Sequence, residues 1–287
     1  MDRITKFPLL DETGQEIASS LEKINNSMGD YIASNNPYYA YLEDRKIGTL
    51  VSTEITKVRD YGLYDRKSLI AIDLPKCVSV GEDAFSYTAL SSVNLPECQT
   101  INSLAFTACE KLKQFTAPKV TKIKNSVFSG CKSLLSVELP ECTNVGESAF
   151  EDCTALSNVN LPKCITIGEY AFSSCEKLQN VNIPKCMIIK NAAFQYCNLK
   201  KIDLNVVEKI EAYAFSHCEL LDCVKILNTE TICVLVDKIA FNSTPIANGT
   251  GYIYVPDALV NDYKKATNWS VYANQIKPLS EYVESEE

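Results

Sequence analysis

Hydrophobic and polar positions recur along most of this chain at a constant interval. A phenylalanine preceded by alanine or valine returns every 21 or 22 residues, and the pattern around it repeats as well. The phenylalanines in register are Phe85, Phe106, Phe128, Phe150, Phe172, Phe194 and Phe215. Leu63 takes the same place one period upstream, and Phe241 takes it after a longer gap of 26 residues. An internal period of this length predicts a solenoid in which each repeat is one coil.

The repeat unit can be written L-x-x-V-x-L-P-x-C-x-x-I-G-x-x-A-F-x-x-C, and it runs from about Ile55 to Phe241. Its L-x-x-V-x-L part ends in the apolar–polar alternation of a short strand, and the proline that follows ends that strand. Its I-G-x-x-A-F part has apolar residues at i, i+4 and i+5, which favours one short helical turn behind the strand. Because one unit cannot bury its own apolar side, neighbouring units must stack. The pattern predicts an α/β repeat fold, a right-handed leucine-rich-repeat solenoid of parallel short strands backed by short helical turns.

Both ends of the chain depart from the repeat, as the terminal caps of a solenoid do. The three predicted parts are residues 1–45, an N-terminal helix and linker for attachment or oligomerisation; residues 46–245, the solenoid; and residues 246–287, a C-terminal strand-helix cap. In the cap, Asp257 is the predicted N-cap of a helix. Tyr263 and Trp269 are predicted to cover the open end of the core.

The predicted N-terminal helix spans residues 14–28. Its apolar residues Ile17, Leu21, Ile24 and Met28 are spaced 4, 3 and 4 apart, which is the a/d spacing of a coiled coil. Two heptads are marginal alone, because isolated helices shorter than about 12–15 residues barely persist in water. The helix therefore either docks on the solenoid or associates with copies of itself, which would make the protein a homo-oligomer.

The repeated segment LPxCxxIGxxAFxxCxxL resembles the BspA-type leucine-rich repeat, over about 190 residues of this chain. That family occurs in bacterial surface proteins and in proteins of gut bacteria and their phages. The resemblance implies an adhesion or recognition module without naming its ligand. The opening segment FPLLDETGQEI is similar to the start of some phage tail-associated proteins, in which an N-terminal helix attaches or trimerises the chain.

Composition narrows the classes of partner. The chain is 46% hydrophobic and 22% charged, with a formal net charge of −8, so it lacks the basic excess that nucleic acid binding requires. No apolar run approaches the roughly 20 residues of a membrane-spanning helix. The amino terminus lacks the apolar stretch of a secretory signal. The predicted location is a virion or a bacterial cell surface.

The thirteen cysteines fall mostly into two columns of the repeat. The first column, eight residues before the phenylalanine, holds Cys77, Cys98, Cys142, Cys164, Cys186 and Cys233. The second, three residues after it, holds Cys109, Cys131, Cys153, Cys175, Cys197 and Cys218, while Cys223 lies outside both columns. Clustered C-x-x-C pairs, which a metal site would favour, do not occur, and Val120 and Val207 replace the first-column cysteine in two repeats. This pattern predicts reduced, buried thiols that act as small hydrophobic groups in a chain made in a reducing compartment, with no metal and no cofactor.

The sequence gives little support for a catalytic role. The single histidine, His217, precedes Cys218, which belongs to the core column, and adjacent residues of a turn point in different directions. The phosphate-binding, dinucleotide-binding and zinc-protease motifs do not occur. We predict that the protein is not an enzyme and has no catalytic residues.

The polar positions of each predicted strand should face away from the core and form a candidate ligand strip. Its residues are Asp73, Ser92, Asn94, Gln114, Thr116, Ser136, Glu138, Asn158, Asn160, Asn180, Asn182, Lys201 and Asp203. The asparagines could bond along the stack as a self-satisfied amide ladder. Alternatively, the strip recognises a protein or a cell-surface glycan. Three interpretations remain open: a phage or prophage tail receptor-binding protein, a secreted or wall-attached bacterial adhesin, and a structural spacer without a ligand.

Overall fold

The computed structural model describes residues 9–10, 16–18 and 48–284. From residue 48 onward the chain winds into a parallel β-solenoid of about ten coils. Each regular coil contributes a strand of three or four residues, then a strand of two residues, then a segment of turns. Here the first strand of each coil is called the front strand and the second the rear strand.

The front strands stack in parallel, because the repeat places equivalent residues of successive coils side by side. Val137, for example, pairs with Val159 in the next coil. The front strands are Thr49–Val51, Ala71–Asp73, Ser92–Asn94, Gln114–Thr116, Ser136–Glu138, Asn158–Asn160, Asn180–Asn182, Lys201–Leu204, Cys223–Ile226, Tyr252–Val255 and Ile276–Pro278. In the described part of the chain they form hydrogen-bonded sheets of three, four and four strands.

The rear strands form a second parallel stack on another side of the coil. They are Lys57–Val58, Ser79–Val80, Thr100–Ile101, Lys122–Ile123, Asn144–Val145, Thr166–Ile167, Ile188–Ile189, Lys209–Ile210 and Val234–Leu235. The second residue of each is an isoleucine, valine or leucine that points into the core, as Val145 and Ile167 do. The predicted parallel stacking is confirmed for the front strands, whereas each rear strand lies at the start of the segment predicted to form a helical turn.

The predicted helical turns are wrong, because the segment around each phenylalanine is a run of turns. The residues two before and two after Phe150, Ser148 and Asp152, have φ angles of +50° and +58°. These left-handed residues interrupt any helix. The backbone N–H of Phe150 donates to the carbonyl of Ala171 in the next coil (2.8 Å) instead of bonding four residues back within its own coil. Bonding between coils therefore replaces the helix, and the fold is an all-β solenoid with a third ladder on this side.

The N-terminal helix is also not supported where the structure describes that region. Leu9–Leu10 and Glu16–Ala18 are strands that pair antiparallel, so residues 16–18 of the predicted helix are extended. A paired strand meets its backbone hydrogen bonds across the ladder, whereas a two-heptad helix would stand alone. The remainder of that prediction, with its coiled coil and linker, falls on residues 14–15 and 19–47, which lie outside the described residues.

The C-terminal cap contains the described helices apart from Lys238–Phe241, a 3₁₀ helix at the last phenylalanine of the repeat. The cap elements are the 3₁₀ helices Asp257–Leu259, Ser270–Tyr272 and Leu279–Glu281 and the α-helix Val260–Lys265. Asp257 is not the predicted N-cap. It is the first residue of its 3₁₀ helix, and its carboxylate accepts a hydrogen bond from the backbone N–H of Ser280 (3.1 Å).

Cap side chains supply the hydrogen bonds that a further coil would otherwise provide. The Tyr263 hydroxyl accepts from the N–H of Cys233 (2.9 Å), and the Trp269 ring N–H donates to the Cys233 carbonyl (2.7 Å). The Asn268 amide donates to the carbonyls of Leu235 (2.9 Å) and Val236 (2.8 Å). Tyr263 and Trp269 are buried and cover the core, as predicted. Asn268 begins a glycosylation sequon, but its amide nitrogen is engaged with the last rear strand.

The phenylalanines of the repeat form one continuous stack along the solenoid axis. Successive rings from Phe85 to Phe241 lie 5.1–5.6 Å apart, centroid to centroid, and within 14° of parallel. At the last coil, Trp269 and Tyr272 pack on Phe241 at 6.1 and 5.7 Å. Aromatic pairs contribute about 0.5–1.5 kcal/mol each beyond the area they bury. The stack therefore joins the coils to one another and to the cap.

Phe150→Ala should lower the free energy of unfolding by roughly 3–5 kcal/mol, because Phe150 is fully buried between two rings and leaves a cavity. The measurement is chemical unfolding at equilibrium. Asn160→Ala is the control, since Asn160 is exposed, and it should leave the fold intact. A change of less than about 0.5 kcal/mol in Phe150→Ala, the size typical of a surface substitution, would contradict the burial argument.

Candidate functional site

The outward-facing side chains of the front strands form one continuous surface, called here the ribbon. Side chains alternate along a strand, so Val159 is buried while Asn158 and Asn160 are exposed. The structure places all the predicted strip residues on this surface, from Asp73 to Asp203. These two lie six coils apart, so the strip can contact an extended partner in full but a small molecule only in part.

Amides on the ribbon are bonded to one another along the stack, as the sequence predicts. The Asn180 amide donates to the side-chain oxygen of Asn158, and Asn182 donates to Asn160, both at 2.8 Å. Nearer the amino terminus, Asn94 donates to the Asp73 carboxylate at 2.7 Å. Each bond joins equivalent positions of adjacent coils. The exposed amides are thus already oriented in the unbound protein.

Other residues of the predicted strip lie side by side on adjacent strands but are not joined by side-chain hydrogen bonds in the same way. Gln114 and Ser136 are opposite each other in register, as are Thr116 and Glu138. A hollow of about 320 Å³ lies on this part of the ribbon, lined by Ser136, Val137, Glu138, Leu139, Pro140, Asn158 and Asn160. The front-strand sheet is interrupted between Asn94 and Gln114 and again between Asn182 and Lys201, so strand pairing joins neither Ser92 and Asn94 nor Lys201 and Asp203 to this group.

The ribbon continues beyond Asp203, which is the last residue of the predicted strip. Asp203 is in register with Lys225, Lys225 with Tyr254, and Tyr254 with Lys277. In the neighbouring row, Lys201 is followed by Cys223 and Tyr252. The longer step of 29 residues from Lys225 to Tyr254 hides the register in the sequence. The x-I-x-V alternation of Tyr252–Val255 was the available signal, because it matches the earlier front strands.

Three tyrosines line an open pocket at this C-terminal end of the ribbon, called here the tyrosine pocket. Its volume is about 500 Å³. Its lining residues include Lys200, Lys201, Asp222, Cys223, Thr250, Tyr252, Tyr254 and Tyr282. The Tyr254 and Tyr282 rings meet edge to face at 5.0 Å, and Tyr252 lies 6.3 Å from Tyr254. The predicted strip contained no aromatic residue, so this part of the ribbon differs in chemistry from the middle.

Family comparison accounts for the repeat on which this surface is built. The model of the BspA-type leucine-rich repeat region matches residues 38–157, 99–222 and 143–250, in six copies. The chain belongs to the BspA-type leucine-rich repeat family. Members of leucine-rich repeat families are generally protein-binding or surface proteins, and the solenoid is typically a binding scaffold without catalytic activity. A search of curated protein sequences finds no significant match.

Solved structures similar to this BspA-type chain are bacterial leucine-rich repeat proteins. The T. pallidum leucine-rich repeat protein is 25% identical with a TM-score of 0.47, covering 51% of this chain and 73% of its own. A Bacteroides ovatus leucine-rich repeat protein is 16% identical with a TM-score of 0.38, covering 82% and 84%. The pneumococcal vaccine antigen PcpA is 15% identical with a TM-score of 0.37, covering 80% and 77%.

The thiols of this BspA-type chain lie in the core, as the column pattern predicts. All thirteen are free, and all except the half-buried Cys223 are buried. Second-column thiols link the coils, because each donates to the carbonyl of a phenylalanine in the preceding coil. Cys153, for example, donates to the Phe128 carbonyl at 3.1 Å, and Cys175 donates to that of Phe150 at 3.2 Å. First-column thiols bond within their own coil, as Cys164 does to the Thr166 carbonyl at 3.3 Å.

Burial raises the pKa of these thiols, because the thiolate is poorly solvated in the core. The pKa rises to about 12 for Cys186 and Cys218, and well above its ordinary value for Cys153. Even Cys223, on the ribbon, has its pKa raised to about 11, mainly by burial. The thiols therefore stay protonated at neutral pH, which makes them poor nucleophiles and poor metal ligands.

The other side chains that could take part in catalysis or metal binding also lie apart from one another. His217 stacks on Tyr196 at 4.7 Å, while the Cys218 thiol points inward and donates to the Phe194 carbonyl at 3.0 Å. Within the described ranges, no group of three or more His, Cys, Asp or Glu side chains is placed to hold a metal ion. No helix among the described residues is long and apolar enough to span a bilayer.

The free energy of unfolding should fall as the pH rises above about 9, because unfolded thiols ionise near pH 8.5 while the buried ones keep their protons. Each such thiol adds about 1.4 kcal/mol per pH unit to the slope until the pH reaches its folded pKa. Urea unfolding at a series of pH values under reducing conditions measures this slope.

Cys164→Val isolates the contribution of one thiol, since Val120 and Val207 occupy the same column in other coils. The variant should show a slope smaller by about 1.4 kcal/mol per pH unit, with little loss of stability at pH 7. Equal slopes in the two proteins would contradict the pKa argument.

Proposed function

We propose that this chain is a non-catalytic recognition protein that binds a macromolecular partner, a protein or a cell-surface glycan, through the ribbon. The observation that carries the proposal is the row of exposed amides on the ribbon, whose mutual hydrogen bonds orient them along the stack. The amide pairs of Asn158 with Asn180 and of Asn160 with Asn182 are held at 2.8 Å before any partner arrives. A surface oriented in advance loses less side-chain freedom on binding, and this favours affinity.

The dimensions and chemistry of the ribbon also favour a large partner. Eleven front strands in the described part of the chain contribute to it, and neighbouring strands lie about 4.7–4.9 Å apart. Its middle presents amides and hydroxyls, which suit hydrogen bonding to peptide or sugar groups better than proton transfer or nucleophilic attack. Proteins of this family are often found at the cell surface.

The ribbon would serve in either of two kinds of protein, a bacterial surface adhesin or a phage or prophage tail receptor-binding protein. The tail setting depends on residues 1–45 as an attachment segment, and its support is the resemblance of the opening residues. Neighbouring tail and baseplate genes would favour the tail protein, and an export signal upstream of Met1 would favour the adhesin.

Arginine on the ribbon should abolish binding to intact bacterial cells. The variant Asn160→Arg with Asn182→Arg breaks one amide pair and places two bulky charges on the ribbon, so we expect at least a tenfold loss of cell binding. The matched control is Thr166→Arg with Asn144→Arg, on two adjacent rear strands. Binding is measured by flow cytometry with labelled protein, and the fold of each variant is checked by circular dichroism.

The control variant should bind as the wild type does. Equal binding by both variants would show that the ribbon is not the recognition surface. No binding of the wild type to any bacterial cell or isolated surface material would leave the spacer interpretation.

The N-terminal segment, residues 1–45, should mediate self-association if it is the attachment part of the protein. Light scattering of the full chain should then give a mass above the monomer's 31.9 kDa, and removal of residues 1–45 should return it to the monomer. A full chain that stays monomeric at high concentration would argue against the homo-oligomer.

A further inference from the structure

The tyrosine pocket combines aromatic surface with polar groups of both signs. Tyr252 and Tyr254 stand on a front strand that is paired on both sides, by Cys223–Ile226 and by Ile276–Pro278. Beneath them Val224 and Ile253 are fully buried. The rings are therefore held by the sheet rather than by a loop.

Lysines already cover part of the tyrosine rings. The Lys225 ammonium lies 4.6 Å from the Tyr282 ring centroid and 2.9 Å from an Asp203 carboxylate oxygen. The Lys277 ammonium lies 4.9 Å from the Tyr252 ring centroid. An aromatic cage for a cationic ligand needs several ring faces free at once, so the lysines disfavour such a ligand, whereas a sugar ring packs on a single exposed ring. Lys200 and Lys201, which also line the pocket, would repel a cation.

The remaining polar groups of the pocket include donors and an acceptor that are open to a ligand. Lys200 forms no ion pair with any residue that the structure describes. Asp222, which carries the opposite charge, forms none among these residues either. The ammonium can donate, the carboxylate can accept, and tyrosine hydroxyls can do both. A ligand with many hydroxyls matches this mixture, because each hydroxyl also donates and accepts. Lys201 is paired with Glu284 (3.7 Å), so the open charges of the pocket, Lys200 and Asp222, balance each other and favour a neutral ligand over an anion. A wholly apolar ligand would leave both charges without partners.

We propose that the tyrosine pocket binds a neutral sugar ring, whose C–H face packs on Tyr252 or Tyr254 while its hydroxyls bond to Lys200 and Asp222. The volume of about 500 Å³ lies within the range of small-molecule sites. Tyr252 remains 37% exposed, so aromatic surface is available for packing. The proposal rests on the proposed role of the ribbon as a recognition surface, and it makes this pocket the glycan-reading part of it.

Saturation-transfer difference NMR on the full chain tests the proposal. The probes are neutral saccharides (glucose, galactose, mannose and N-acetylglucosamine, each with a disaccharide) and two acidic ones, N-acetylneuraminate and glucuronate. At least one neutral sugar should receive saturation on its ring C–H protons. Tyr254→Ala should weaken the binding of that sugar at least tenfold, as measured by titration, and Tyr252→Phe should weaken it less than Tyr252→Ala does.

Tyr87→Ala is the matched control. Tyr87 is an exposed tyrosine with a lysine ammonium, that of Lys67, 5.3 Å from its ring centroid, and it lies outside the tyrosine pocket. Its loss should leave sugar binding unchanged. An equal loss in Tyr87→Ala and Tyr254→Ala would show a non-specific effect and overturn the assignment.

Two further outcomes would overturn the proposal. Binding of acidic sugars only, lost in Lys200→Ala and kept in Tyr254→Ala, would make the site a carboxylate site. If the wild type transfers saturation to none of the sugars, the sugar proposal is wrong. If the Asn160→Arg, Asn182→Arg variant nevertheless abolishes cell binding, the ribbon remains the recognition surface, and its partner is a protein. Sugar binding at the pocket, together with cell binding unaffected by that variant, would refute only the role of the ribbon's middle.

Discussion

The contact between one coil and the next is the constraint on which the rest of this protein depends. Front strands, rear strands and the turns around each phenylalanine all direct backbone N–H groups to carbonyls of an adjacent coil. At the centre, the phenylalanine rings stack at 5.1–5.6 Å along the same axis. A coil therefore has no complete set of hydrogen bonds and no closed core until a neighbour is present. Stability and shape both arise from repetition.

The same constraint explains the thiols and the cap. A second-column cysteine adds a side-chain hydrogen bond between coils while filling a small apolar space, as Cys175 does on the Phe150 carbonyl. At the last coil there is no further backbone to bond, so Tyr263, Asn268 and Trp269 bring side-chain donors and acceptors to the exposed strand. Burial keeps the thiols protonated, and this separates their structural role from any reactive one.

The proposed recognition uses the face that the stacking leaves exposed. The middle of the ribbon repeats small amides whose mutual bonds fix their orientation, and its C-terminal end carries tyrosines and lysines on the same strands. One rigid scaffold thus presents two chemistries in a row. An extended partner could contact both, whereas the proposed sugar ring would contact only the tyrosine pocket.

The sequence by itself determined the period, the parallel strands, the phenylalanine and thiol columns, and the positions of the strip from Asp73 to Asp203. These follow from residue type and spacing, because a repeated apolar position must be buried by its copy in the next coil. Only the tertiary structure decided that the segment around Phe150 is a run of turns, since the i, i+4, i+5 spacing also arises when Ser148 and Asp152 adopt left-handed conformations. It alone joined Tyr252 and Tyr254 to the ribbon, because strand pairing crosses coils of unequal length that hide the register in the sequence.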